Sequence, residues 1–382
     1  MSLQRWEIAV VGGGVVGLAT TVALREAGFD AGVIERGGEP LADPGDARVY
    51  AVSPASARVL PPDWAQADGV QAYRHMQVWQ TAPDTALHFD AALVRAPALG
   101  WIAPESVLRA RLWARLPPQR RLAQAEVETL TEHEDGVSLL LGADRVVRAR
   151  LVVACDGLRS PLRARAGIPV HQWGYAAEGL VATLQCERPH AETAWQRFLP
   201  DSVLALLPLP GPRVSLVWST AQAAELQALT AEAFADAVTE ASQGVLGSLS
   251  LAGERHRFPL LALHAERYVD GRLVLAGDAA HSVHPLAGQG VNLGIADGQH
   301  LATVLAEARD QGRDWTAPRV LARYQRARRA ANTELLALTD ALSRGFSPAV
   351  PGLSALLGAG LGWVDRVPTL KAALVRRAMG AG

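Results

Sequence analysis

Val10-Val11-Gly12-Gly13-Gly14-Val15-Val16-Gly17-Leu18 is the stretch that decides the fold. Trp6 to Val11 is a short apolar run ending in glycine, the pattern of a parallel strand buried on both faces. Val15 to Ala27 repeats apolar residues at helical spacing, and Gly28 supplies the stop. Ala31 to Glu35 is a second short strand, so the segment reads as a βαβ unit. Gly12 permits the tight turn, Gly14 lets the backbone approach a pyrophosphate, and Gly17 lets helix and strand pack closely. The unpaired N–H groups around Val15 and Val16, at the positive end of the helix, suit phosphate. Glu35 closes the second strand, where an acid binds ribose hydroxyls and disfavours a 2′-phosphate. The expected resident nucleotide is therefore ADP-ribose-like rather than NADP-like.

Bulk properties narrow the class. The 382 residues fit one large domain or two intertwined ones, and 49% hydrophobic content is ample for a core. A net charge of −1 creates no global field that would favour nucleic acid. Every basic residue except Lys371 is arginine, which reads first as compositional bias. Cys155 and Cys186 are too few for a disulfide framework and suit a reducing compartment. The amino terminus shows no signal-peptide pattern, and a cytoplasmic location is expected. Gly345 to Val364 is uncharged and long enough to span a bilayer, but it holds Pro348, Pro351 and five glycines. It reads as a surface or interfacial segment.

Further along, Asp46 to Leu60 carries Arg48 and a Ser-Pro-Ala-Ser helix start. Glu105 to Leu116 reads as a helix stopped by Pro117-Pro118. Leu122–Leu130, Val137–Leu141 and Val146–Ala154 read as antiparallel strands, closed by Asp156-Gly157. Gly179–Gln185, Thr193–Leu199, Val203–Leu207 and Val214–Thr220 are short β-like runs between Pro and Gly turns, which predicts a separate sheet. Ala221 to Ala241 should be helical. Arg272–Ala276 returns to a buried-strand pattern, and Gly290–Ala308 and Ala317–Leu342 read as long helices.

A second glycine-rich segment sits far from the first. Gly277-Asp278-Ala279-Ala280-His281 runs on to Pro285 and then to Gly288-Gln289-Gly290-Val291-Asn292. Asp278 follows a buried strand, where ligands of such sheets bind, and its carboxylate suits a polyol such as a ribityl chain. Taken alone, Asp278 would read as a helix cap. Gly288 to Asn292 brings flexible backbone and a helix start to a position that would stabilise negative charge. The two segments together indicate FAD.

The chain resembles the class A flavoprotein monooxygenases, and within them the ubiquinone-biosynthesis FAD-dependent aromatic hydroxylases. The resemblance covers nearly the whole chain. It is carried by both glycine segments and by Ala154-Cys155-Asp156-Gly157-Leu158-Arg159-Ser160. Arg48-Val49-Tyr50-Ala51-Val52-Ser53 and Trp195-Gln196-Arg197-Phe198-Leu199-Pro200 also carry it. His284-Pro285-Leu286-Ala287-Gly288-Gln289-Gly290-Val291-Asn292 is its most specific piece.

The resemblance implies an α/β fold with a Rossmann-like FAD-binding domain of the p-hydroxybenzoate hydroxylase type. A β-sheet substrate domain is inserted and helices close the chain. The implied FAD segments are 1–73, 99–177 and 269–330; the substrate segments are 74–98 and 178–268; the helical region is 331–382. Gly12, Gly14, Val15, Val16, Gly17, Glu35 and Arg36 would hold the ADP half, with Val127 also among the FAD contacts, and Asp156-Gly157 would be a second fingerprint that serves both FAD and NAD(P)H. Arg48 would reach the flavin, and Gly277 and Asp278 the ribityl and pyrophosphate region. Pro285, Gly288, Gln289, Gly290, Val291 and Asn292 would face the isoalloxazine ring.

One departure stands out. Where relatives carry Asn-Arg at the start of a helix, this chain has Glu105-Ser106, with Arg109 a turn later. The implied reaction consumes NAD(P)H and O2 and hydroxylates a polyprenylated phenol. The flavin performs the chemistry, so no dedicated nucleophile is expected. No metal is expected either: His281 and His284 read as hydrogen-bonding residues. The apolar and basic tail after Gly345 suits a membrane surface, peripheral to the inner membrane, or a ubiquinone-biosynthesis complex, and equally a helix packed on the protein's own surface. A monooxygenase of a soluble aromatic metabolite, an O2-independent FAD reductase and a non-catalytic flavoprotein or scaffold of a biosynthetic complex are the alternatives.

Overall fold

Four sheets organise the computed structural model, which describes residues 2–142, 145–282 and 290–345. The six-stranded sheet holds the opening motif. Its order is Val269–Asp270, Leu273–Leu275, Leu151–Ala154, Ile8–Val11, Ala31–Ile34, Arg121–Leu122. All pairings are parallel except that of the first two strands. Ile8–Val11, Ala31–Ile34 and Leu151–Ala154 are buried at every position, as a parallel sheet covered on both faces requires.

The helix Val15–Glu26 returns the chain between the first two of these strands. Gly28, at φ +84°, lets the chain leave it in a left-handed turn. The long helix Gly290–Asp310 crosses it closely. A Cβ on Gly298 would lie 2.2 Å from Thr20 Oγ1, and one on Gly294 would lie 2.6 Å from Val16 Cγ2. Glycines spaced four apart thus let the two helices approach over the sheet.

The eight-stranded sheet follows the order His281–Ser282, Leu249–Ala265, Val170–Cys186, Arg213–Thr220, Val203–Leu209, Thr193–Phe198, His75–Trp79, Leu87–Asp90. Strand alternation gives it two different faces. Leu180, Leu184, Leu204, Leu206, Val214 and Leu216 pack with Phe234 and Val238 of the helix Ala231–Ala241 in a second core. Each such side chain contributes about 1.5–3 kcal/mol on full burial. The opposite face carries Val181, Thr183, Val203, Ala205, Ser215, Val217 and Ser219, which no described helix covers; they line a cavity.

Several sequence expectations are corrected. Leu122–Leu130 is not one strand: Gln124 takes a left-handed conformation and its N–H bonds Gly37 O, leaving Arg121–Leu122 and Thr129–His133 in different sheets. Val146–Ala154 divides at Arg150, with Arg145–Ala149 antiparallel in a four-stranded sheet and Leu151–Ala154 parallel in the six-stranded one. Ala221–Ala241 is two helices, because the Thr230 side chain caps a new start at Ala231. The 17-residue strand Leu249–Ala265 lies where no element was expected; its central stretch is mostly exposed and shows no clean alternation.

Candidate active site

Four loops leave the carboxyl ends of neighbouring parallel strands and meet at one edge of the six-stranded sheet. They are Gly12–Gly14, Glu35–Gly37, Cys155–Gly157 and Gly277–Ala279. The first is shaped by necessity. Gly12 has φ +112°, and a Cβ there would lie 2.2 Å from Cys155 O. A Cβ on Gly14 would meet nothing within 4 Å, so the start of the helix faces open space. That space beside bare N–H groups suits a pyrophosphate.

Glu35 is already fixed at this edge. Its carboxylate accepts hydrogen bonds from the N–H of Gly13 and from that of Gly37 at 2.7 Å. Arg109 Nε donates to Gly13 O at 2.9 Å. The arginine one turn late in the helix Glu105–Ala114 therefore still reaches the glycine loop. Arg36 is exposed on the adjoining loop, and the buried Val127 accepts from Arg165 through its carbonyl at 2.9 Å.

Asp156 accepts from Leu162 N–H at 3.1 Å through one oxygen, while its other oxygen is buried without a partner among the described residues. Burial raises its pKa against the lowering pull of Ser160 and Arg163. A buried acceptor without a donor fits a polar ligand at this edge. Asp278 is water-accessible at its surface yet recessed among protein atoms. Desolvation raises its carboxyl, opposed by His281 and Arg48. The residues present thus fit FAD: bare N–H groups beside open space, and recessed carboxylates for ribose and polyol hydroxyls.

A buried network holds the Gly277–Ala279 turn, and sequence reading missed most of it. Asp297, fully buried, accepts from Gly277 N–H at 3.0 Å, His281 Nε2–H at 2.6 Å and Arg328 Nε at 2.6 Å. Burial alone would raise its pKa; His281 and Arg328 outweigh that and hold it at about 2. Asn332 joins Arg328 and the Tyr268 hydroxyl to the same cluster. From the other side, Arg163 donates to Ala279 O and Leu158 O, both at 2.8 Å, and so clamps the Asp156-Gly157 loop to the Asp278 turn.

Asn292 stands at the start of the long helix Gly290–Asp310. It accepts from Ser53 N–H at 2.9 Å and donates to Ala51 O at 2.7 Å. It therefore ties the strand Val49–Val52 to that helix, besides facing the cavity. Arg48 pairs with Glu105 at 2.8 Å, and Tyr50 OH reaches the same carboxylate at 3.4 Å. Gly290 and Val291 open the helix beside them. Pro285, Gly288 and Gln289, together with His284 and the tail after Gly345, lie outside the described residues.

Above this floor lies a cavity of about 1000 Å³. Arg48, Tyr50, Ala51 and Asn292 form its base, and the uncovered face of the eight-stranded sheet forms its wall. Many side chains on that wall are small: Thr183, Ser215 and Leu207 are neighbours across one row, and Val181, Val217, Ala205 and Gln196 across the next. Tyr73 projects into the same space, its pKa raised by desolvation to about 12. The cavity is concave and mainly apolar, as small-molecule sites are, with Gln196, Arg213, Glu254 and His256 among its polar lining.

Comparison with known proteins identifies the family. The model of the FAD binding domain family matches residues 5–339. The 3-demethoxyubiquinol 3-hydroxylase of Escherichia coli is 38% identical, covering 100% of both chains. The ubiquinone hydroxylase UbiL of Rhodospirillum rubrum is 38% identical over 98% of this chain and 89% of its own. Among solved structures, an arginine-to-glutamine variant of Klebsiella pneumoniae HpxO complexed with FAD superposes with a TM-score of 0.77 over 99% of each chain; at 18% identity it shows the fold alone.

Proposed function

Because this chain belongs to the FAD binding domain family and is an FAD-dependent monooxygenase, we propose that it hydroxylates the aromatic ring of a polyprenylated phenol in ubiquinone biosynthesis, with NAD(P)H and O2 as co-substrates. The observation that carries this reading is the apolar cavity of about 1000 Å³ that opens directly over Arg48 and Asn292. When bound, FAD supplies the redox chemistry that activates oxygen.

The protein's own residues supply the rest. Gly12, Gly14, Val15, Val16 and Gly17 present bare backbone to the pyrophosphate. Glu35 takes the ribose, and Asp278 the polyol chain. Arg109 braces the glycine loop from behind. Arg48, Val291 and Asn292 border the ring, and the dipole of the helix beginning at Gly290 favours negative charge there. The small side chains of the sheet wall leave room for a substituted ring and its apolar tail while excluding water. Tyr73, Thr183, Gln196, Ser215, Ser219 and His256 are among the polar groups available to orient the phenol.

The nucleotide domain in this reading comprises segments 1–73, 99–177 and 269–330, and the substrate domain segments 74–98 and 178–268. NAD(P)H visits without a second nucleotide fold. No described helix is long and apolar enough to cross a membrane. We place the enzyme in the cytoplasm at the inner-membrane surface or in a biosynthetic complex, where a lipid-soluble phenol is available. Removal of the residues after Gly345 should abolish flotation with liposomes while FAD stays bound; unchanged flotation contradicts the peripheral placement. The substrate is tested with FAD-loaded protein and a prenylated phenol. NAD(P)H oxidation should rise several-fold and a hydroxylated ring should appear. Stimulation only by soluble phenols would overturn the assignment.

A further inference from the structure

Away from the cavity, the last two strands of the eight-stranded sheet bring two imidazoles and a carboxylate together. His75 pairs directly with Asp90 across the antiparallel hairpin of His75–Trp79 and Leu87–Asp90, and Gln77 pairs with His88. Period-two alternation places His75, His88 and Asp90 on one face. Val78 and Leu87 go to the other, where they pack with Phe198. The three residues are half-buried, and one ligand atom from each lies within 4.8 Å of the other two.

The geometry points to a binding site for a divalent zinc-class ion formed by His75, His88 and Asp90. Three features carry this. A tetrahedral ion with bonds of about 2.0–2.1 Å needs ligand atoms about 3.4 Å apart. His75 Nδ1 and Asp90 Oδ2 stand 3.5 Å apart. Two imidazoles on one such ion would have ring centres separated by about 5.2 Å; those of His75 and His88 are 5.6 Å apart. Finally, His75 Nδ1 is buried and makes no hydrogen bond of acceptable geometry, so the nitrogen nearest the carboxylate is still without a proper partner.

Asp90 is oriented for the task. Its Oδ1 accepts from Ala92 N–H at 2.7 Å, which leaves Oδ2 turned to His75. Such outer contacts fix a ligand's direction. Two imidazoles and one carboxylate are the donor set of an N/O zinc site, with water as the fourth ligand. No linear motif signals it, because His75 lies 13 positions before His88 and meets it only through the hairpin. The ion would staple the edge strand of the sheet to its neighbour, whose Met76 lines the cavity.

The test uses the full-length FAD-loaded protein after chelator treatment. Zinc titration by calorimetry should give one site per chain, and cobalt should produce the visible bands of a tetrahedral N/O site. His88→Gln and Asp90→Asn, which keep volume and the Ala92 cap, should each weaken zinc binding at least tenfold while flavin absorbance and circular dichroism stay unchanged. Bound zinc should raise the melting temperature of the wild type but not of His88→Gln. Zero stoichiometry in the wild type, or undiminished binding by a His75→Ala/His88→Gln double variant, overturns the site.

Discussion

Replacing Asp297 with alanine tests how the Gly277–Ala279 turn is held together. The side chain is fully buried, and the substitution removes the acceptor for Gly277 N–H, His281 and Arg328 at once. His281 is 2% exposed at its side chain and Arg328 12%, so neither can recover its loss in water. Breaking a buried pair from one side costs about 3–5 kcal/mol. A chain of this length has an unfolding entropy of about 0.8 kcal/mol/K, so the melting temperature should fall by about 4–6 °C. The freed Gly277 N–H removes a hydrogen bond of about 1 kcal/mol from the turn that carries Asp278. FAD should therefore bind several-fold to tenfold more weakly. Differential scanning fluorimetry and flavin-fluorescence titration read the two effects separately. Asp297→Asn, which keeps one acceptor, should lie between the variant and the wild type. A melting temperature within about 1 °C of wild type with unchanged FAD affinity would refute the reasoning.

Stability should fall as the solution is acidified below about pH 6.5. Burial depresses the folded His264 to about 4, so the unfolded chain binds the extra proton between those values, and Asp297 adds a further loss between its unfolded value near 3.8 and about 2. His264→Asn should flatten the first part of that slope in denaturant titrations across pH. Gly12→Ala combines a left-handed φ with a Cβ 2.2 Å from Cys155 O, and should lower FAD retention at least tenfold, seen as colourless purified protein. Asp278→Ala should weaken FAD binding without unfolding the chain; full flavin occupancy would contradict its role. Ala205→Trp fills the cavity from its sheet wall, and should keep FAD bound while removing substrate-stimulated NAD(P)H oxidation.

The βαβ unit was legible because its constraints are local: a glycine that must be bare, a strand buried throughout and an acid at its end. The long helices followed from sustained periodicity. The division at Arg150 escaped notice because an uninterrupted apolar run does not report which sheet each half joins. The cavity was illegible for another reason. Its wall is the alternate face of strands spread from Met76 to Phe258, and only registers such as Thr183–Ser215–Leu207 and Val181–Val217–Ala205 bring the small side chains together. Asp297 left a faint signal. It lies within the buried stripe Val291, Gly294, Ile295, Gly298 and Leu301, where a carboxylate demands partners. Those partners, His281 and Arg328, are 16 and 31 residues away and could not be paired from spacing.

The most direct measurement is isotopic: FAD-loaded enzyme, NAD(P)H and a prenylated phenol under ¹⁸O₂, with the product analysed by mass spectrometry. One labelled oxygen atom on the ring for each nicotinamide oxidised is the predicted result. Nicotinamide oxidised in the presence of the phenol with no label in the product would contradict the account.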